Sequence, residues 1–124
     1  MGSKEFGKEM EVRTKKFALN VIKLSGSLPR SMELNVLRYQ LTKSGTSIGA
    51  NYREANRARS KAEFKSKIKI CESEASETSY WLELLSDLDQ SNNEDIKTNL
   101  SESNEILAIF SAVGKKLNSS HSKF

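Results

Sequence analysis

At 124 residues the chain is too short for two ordinary domains, and its 29 Leu, Ile, Val and Phe residues put it just above the composition at which disorder prevails. One Pro and six Gly argue against an all-β fold; one Cys (Cys71) excludes an internal disulfide, and one His (His121) removes histidine triads and nearly every transition-metal site. The net charge of +4 hides an asymmetry: residues 1–71 sum to +10 and residues 72–124 to −6.

The chain opens on Met1-Gly2-Ser3-Lys4-Glu5, charged where a cleavable leader would be apolar, and Phe6 stands where a myristoylation signal needs Ser or Thr. No window approaches 18 consecutive apolar residues. The expectation is a soluble, cytoplasmic protein with a free thiol.

Four helices are expected in chain order. The first runs from about Lys4 to Ser25 on Phe6, Met10, Phe17, Val21 and Leu24, and ends with Gly26 in a left-handed cap before Pro29. The second, capped by Ser31, runs from about Met32 to Asn56 on Leu34, Leu37, Leu41, Ser44, Ile48, Tyr52 and Ala55. The third starts at Ser60, where Ser60-Lys61-Ala62-Glu63 has capping-box spacing. Its stripe, Phe64, Ile68, Cys71, Ala75, Thr78, Leu82 and Leu85, alternates steps of four and three, a heptad seam that demands a helical partner. Ser91-Asn92-Asn93-Glu94 repeats the capping spacing and opens the fourth, on Ile96, Leu100, Ser103, Leu107, Phe110, Val113 and Leu117. Rods of about 25 residues, roughly 38 Å long, joined by short loops must run up and down. The predicted fold is all-α, an antiparallel four-helix bundle over residues 1–117 with a frayed tail over 118–124.

The third helix carries a second stripe beside the seam: Lys67, Ile70, Glu74, Glu77, Trp81, Leu84 and Leu88. It is either a broad core-facing face or a subunit interface; Ile70, Tyr80, Trp81, Leu84 and Leu88 favour the interface, because aromatic residues are enriched there. Gly45 and Gly49, one turn apart inside the second helix, each cost about 1 kcal/mol relative to Ala. They read as close helix packing; a phosphate loop would need Gly-Lys-Ser/Thr, and Lys43 precedes the glycine.

Catalytic and metal chemistry find little footing. Glu74 and Glu77 lie one turn apart, but a di-metal bundle wants Glu-x-x-His pairs, so pairing with Arg38, Arg53 or Lys67 is the simpler fate. Ser44, Ser47 and Cys71 have no base spaced to activate them, so no enzyme, no metal and no cofactor is expected. The densest basic run is Arg53, Arg57, Arg59, Lys61, Lys65, Lys67 and Lys69. Arg53, Arg57, Arg59, Lys61, Lys65 and Lys69 suit the phosphate backbone of RNA or DNA, without base readout. The same charge also fits a basic half packed on an acidic half, within one chain or between subunits, and charge alone leaves both readings open.

The run Gln40-Leu41-Thr42-Lys43-Ser44-Gly45-Thr46-Ser47-Ile48-Gly49-Ala50-Asn51-Tyr52-Arg53-Glu54-Ala55 resembles the central signature of the bacterial four-helix-bundle proteins encoded in intervening sequences of large-subunit ribosomal RNA genes. Ser60-Lys61-Ala62-Glu63-Phe64, Lys67-Ile68 and the stretch from Glu74 to Leu85 look like its continuation, and Leu28-Pro29 sits where that family ends its first helix. The resemblance covers roughly residues 6–115 and implies a homo-oligomeric ring, typically a homopentamer. The family, long labelled ribosomal S23-like, is also similar to the accessory protein of diversity-generating retroelements, a basic pentamer that binds nucleic acid and a reverse transcriptase. By that analogy a reverse transcriptase or another protein joins the expected partners, with no membrane among them.

Overall fold

A computed structural model describes residues 3–89 and 92–122. The helices are α1 (Ser3–Ser27), α2 (Met32–Ala55), α3 (Lys61–Leu88) and α4 (Glu94–Ser122). Each packs along its neighbour in the chain and α1 meets α4, giving the expected all-α up-down bundle.

The predicted stripes point inward. Phe17 and Val21 of α1, Leu41 and Ile48 of α2, Ile68 and Leu82 of α3 and Phe110 of α4 are fully buried. Each such side chain contributes about 1.5–3 kcal/mol by leaving water. Tyr52 and Phe110 stack with ring centroids 5.3 Å apart. Small hydroxyls fit between the rods: Thr78 Oγ1 donates to Ser44 Oγ at 2.9 Å, and Ser79 and Ser103 share a 2.7 Å bond. Ser31 and Ser60 cap α2 and α3 as predicted, although the Glu63 carboxylate returns to the Arg59 N–H rather than to that of Ser60. Ser31 Oγ accepts from the Leu34 N–H, and Ser60 Oγ from the Glu63 N–H.

Several details differ from the sequence reading. Gly26 lies inside α1 and has no positive φ, so it is not a left-handed cap. The guanidinium of Arg38 does the capping instead: it donates to the carbonyls of Ser25, Leu28 and Pro29, matching a cation to the negative end of the helix. At α4 the capping residue is Asn93, whose Oδ1 accepts from the Asp95 and Ile96 N–H groups; Ser91 lies outside the described residues. Asn92 takes the left-handed turn before it, with φ 62°. The α4 stripe is rotated slightly from the one expected, with Ile106 fully buried and Leu107 half-buried. Thr14 fills the gap between Met10 and Phe17, its hydroxyl turned back onto the Met10 carbonyl at 2.7 Å. Finally, α4 continues past Leu117 to Ser122, into the segment expected as a tail. The side chain of His121 and residues 123–124 lie outside the described residues.

Candidate nucleic-acid interface

The α2–α3 connection is tight because its backbone groups are satisfied locally. The Arg57 and Ala58 N–H groups donate to the carbonyls of Glu54 and Ala55, and Glu63 Oε2 accepts the Arg59 N–H at 2.9 Å. That fixes the corner and leaves the Arg57 and Arg59 side chains exposed on it. Lys61, Lys65 and Lys69 follow at i, i+4 and i+8 on one face of α3, over about 12 Å of helix. Lys65 is half-buried, laying its stem along the surface, while Lys61 and Lys69 are exposed. Arg53 is different: its Nε stands 3.7 Å from Glu11 Oε1, so α1 offsets part of its charge. Among the described residues, Arg57, Arg59, Lys61, Lys65 and Lys69 form no ion pair.

Up-down topology adds cations that a linear reading does not connect. The N-terminal turns of α1, with Lys4 and Lys8, and the last turns of α4, with Lys115 and Lys116, come to the same end as the α2–α3 corner. Gly7 marks the junction, its Cα facing the Asn56 amide. Glu83, Asp87, Asp89, Glu94 and Asp95 gather at the opposite end, where α3 hands over to α4. These cations and these carboxylates stand at opposite ends of the bundle.

The remaining candidates fall into place around this. A Cβ added to Gly45 would stand 2.9 Å from Val21 Cγ1, and one added to Gly49 would stand 3.1 Å from Thr14 Oγ1. These two positions let α1 lie against α2, and no phosphate cradle forms. Glu74 and Glu77 do not pair with Arg38 or Arg53, which are engaged at the α1 C-terminus and at Glu11. Nor does Lys67 reach them within ion-pair distance. Glu77 Oε2 accepts from the Trp81 indole at 3.2 Å, and the Glu74 carboxyl is pushed up by burial and then by the charge of Glu77, with Lys43 pulling the other way. Cys71 is fully buried with Sγ 3.6 Å from the Ile48 carbonyl, and burial pushes its thiol up to about 12, which keeps it protonated and unreactive. Among the described residues, no group of three His, Cys, Asp or Glu side chains is placed to hold a metal, and no helix is long and apolar enough to cross a membrane.

The outer strip of α3 is exposed at Ile70, Tyr80 and Leu88 and half-buried at Trp81 and Leu84; Tyr80 and Trp81 meet edge to face at 5.1 Å. The Thr78–Ser44 bond sets an antiparallel register that puts α2 residues 34–39 level with α3 residues 83–88. Met32, Val36 and Tyr39, spaced i, i+4, i+7 on the outer face of α2, are 80%, 57% and 63% exposed. The core periodicity does not single out these three. Their spacing was readable, but it lies opposite the stripe that defines the core.

The family model described as 23S rRNA-intervening sequence protein matches residues 8–112. The chain belongs to that family. A solved structure with the same architecture is a protein of unknown function from the S23 ribosomal protein family of Bacteroides thetaiotaomicron VPI-5482. It is 36% identical, covers 85% of this chain and 97% of its own, and has a TM-score of 0.76. No curated protein matches the chain. Neither description of the intervening-sequence family or of this S23 relative states an activity.

Proposed function

We propose that this intervening-sequence family member is a non-enzymatic, self-associating bundle that holds RNA or DNA by its phosphates, without reading bases. The observation that carries the reading is the run Arg57, Arg59, Lys61, Lys65 and Lys69, cations along one corner and one helix face without ion-pair partners among the described residues. Affinity for unrelated RNA and DNA fragments should fall steeply with salt, because each neutralised phosphate releases counterions. Arg57→Ala or Lys65→Ala should weaken binding similarly across sequences and lower the salt slope by about one unit. A parent chain with no measurable, salt-dependent affinity sinks the reading.

Self-association, as a ring and by family resemblance a homopentamer, belongs to the same proposal. It is supported by the apolar strip of α3, exposed at Ile70, Tyr80 and Leu88 and half-buried at Trp81 and Leu84, and by the exposed Met32, Val36 and Tyr39 of α2. Trp81→Ala removes its largest anchor and should release monomers in light scattering; a parent that is already a stable monomer at micromolar concentration refutes it. A reverse transcriptase or other protein partner rests on resemblance alone; a cytoplasmic setting fits a chain in which no described helix is long and apolar enough to cross a membrane.

A second reading, a protein scaffold without nucleic acid, is favoured by the opposed basic and acidic ends. There the corner cations would meet Glu83, Asp87 and Asp89 of a neighbouring copy. Sedimentation of Arg57→Glu and Lys65→Glu separates the two: loss of assembly supports the scaffold, and retained assembly with lost binding supports the first reading.

A further inference from the structure

We propose that the basic end of the bundle contains a binding cavity for an amphipathic anion, a straight-chain alkyl carboxylate. The cavity measures about 880 Å³, within the roughly 300–1,000 Å³ usual for small-molecule sites. All four helices wall it: Phe6 from α1, Tyr52 from α2, Phe64 from α3, Val113 and Leu117 from α4. Phe6, Phe64, Val113 and Leu117 pack on the core yet remain half-buried, so the apolar interior runs into the cavity without being closed over.

Charge at the site is predominantly positive. Lys4, Lys8 and Lys116 are exposed and line it. Glu11 is the single carboxylate among the described lining residues, and it is occupied: Asn56 Nδ2 donates to it at 2.9 Å, and Arg53 stands 3.7 Å away. The exposed lining is more apolar than polar, and the Asn56 amide is turned to Glu11. A nucleobase seated there would leave its polar edge unpaired, whereas an alkyl chain has nothing to satisfy. An aliphatic tail with a carboxylate against the lysines fits both the walls and the charge.

The inference does not depend on nucleic-acid binding, because Arg59 and Lys69 are not among the lining residues. Calorimetric titration of the full chain with octanoate, decanoate and laurate, below their micelle concentrations, tests it. Laurate should bind, and each two-carbon extension should tighten binding about tenfold. Dodecyltrimethylammonium, with the same tail and opposite charge, should not compete. Lys8→Glu and Lys116→Glu should each weaken laurate about tenfold while leaving the thermal melt unchanged, since both side chains are exposed. Arg59→Glu and Lys69→Glu should leave laurate affinity intact even where they abolish RNA binding. Absence of laurate binding, indifference to chain length or equal binding of the cationic amphiphile would each overturn the cavity site. So would sedimentation with anionic phosphatidylglycerol vesicles in place of laurate binding, which would assign the lysines to a membrane surface.

Discussion

The inner and outer faces of α3 are built from one stretch of sequence and follow different rules. Inward, Ile68, Cys71, Ala75, Thr78, Leu82 and Leu85 repeat in heptads, and all six are buried against α2 and α4. Outward, Ile70, Glu74, Glu77, Trp81, Leu84 and Leu88 repeat almost as regularly, yet they end half-buried or exposed. Periodicity announces that a face has a use. Whether the partner is in the same chain is decided by how many neighbours the fold can supply, and a four-helix bundle supplies α3 with two.

The sharpest way to break this comparison is chemical labelling at Cys71. A thiol with no exposed surface, held protonated, should react with iodoacetamide at least about a thousandfold more slowly than in the unfolded chain, because the bundle must open first. Rapid labelling under native conditions would mean the inner seam is loose.

Truncation gives the next largest contrast. Leu82→Ala should lower unfolding stability by about 2–5 kcal/mol, since Leu82 has no exposed surface and its loss leaves a cavity. Leu88→Ala, at 62% exposure, should change chain stability by no more than about 0.5 kcal/mol. Denaturant melts of the two variants measure both; equal losses would erase the distinction between the faces. Trp81→Ala should fall between them, at about 1–2 kcal/mol for the chain itself, because its ring is half-buried on the core. A loss well above this range would move Trp81 from the outer strip into the core.

The fold was legible because it rests on apolar spacing. Leu41, Ile48, Ile68, Leu82 and Phe110 could be assigned to the core from the 3.6-residue period alone, and Ser31 and Ser60 from cap chemistry. What escaped were choices between polar partners distant in sequence. Arg38 caps α1 in place of Gly26, and Arg13 grips Glu102 of α4 through two bonds of 2.7 Å across 89 residues. Local spacing carries no information about either. The basic corner from Arg53 to Lys69 was visible as a run, but Lys4, Lys8, Lys115 and Lys116 join that end only once the helices alternate in direction. Met32, Val36 and Tyr39 form a stripe opposite the core, which has no role within a single chain and so carries no signal for its fold.

The smallest effect tests the outer face by itself. Glu74 is half-buried beside Glu77 on α3, with Lys43 of α2 acting on it, and its carboxyl is raised chiefly by burial, then by the Glu77 charge. A carboxyl that binds its proton more tightly when folded stabilises the fold most at low pH, below the ordinary value of 4.5. That stability is lost as pH rises through the folded value, so at neutral pH the ionised Glu74 is a slight burden. Glu74→Gln removes the charge and keeps the shape, and Gln is nearly as good a helix former as Glu. The variant should be more stable than the parent at pH 7 by no more than about 0.5 kcal/mol, the scale of substitutions at such sites. The gain should shrink as pH falls through the raised folded value towards 4.5 and be gone below it, where the parent carboxyl is neutral both folded and unfolded. Melts at pH 7 and in mild acid check the sign. A variant less stable than the parent at pH 7 would mean that attraction to Lys43 outweighs burial, and that the outer strip is held by charge rather than left open by the fold.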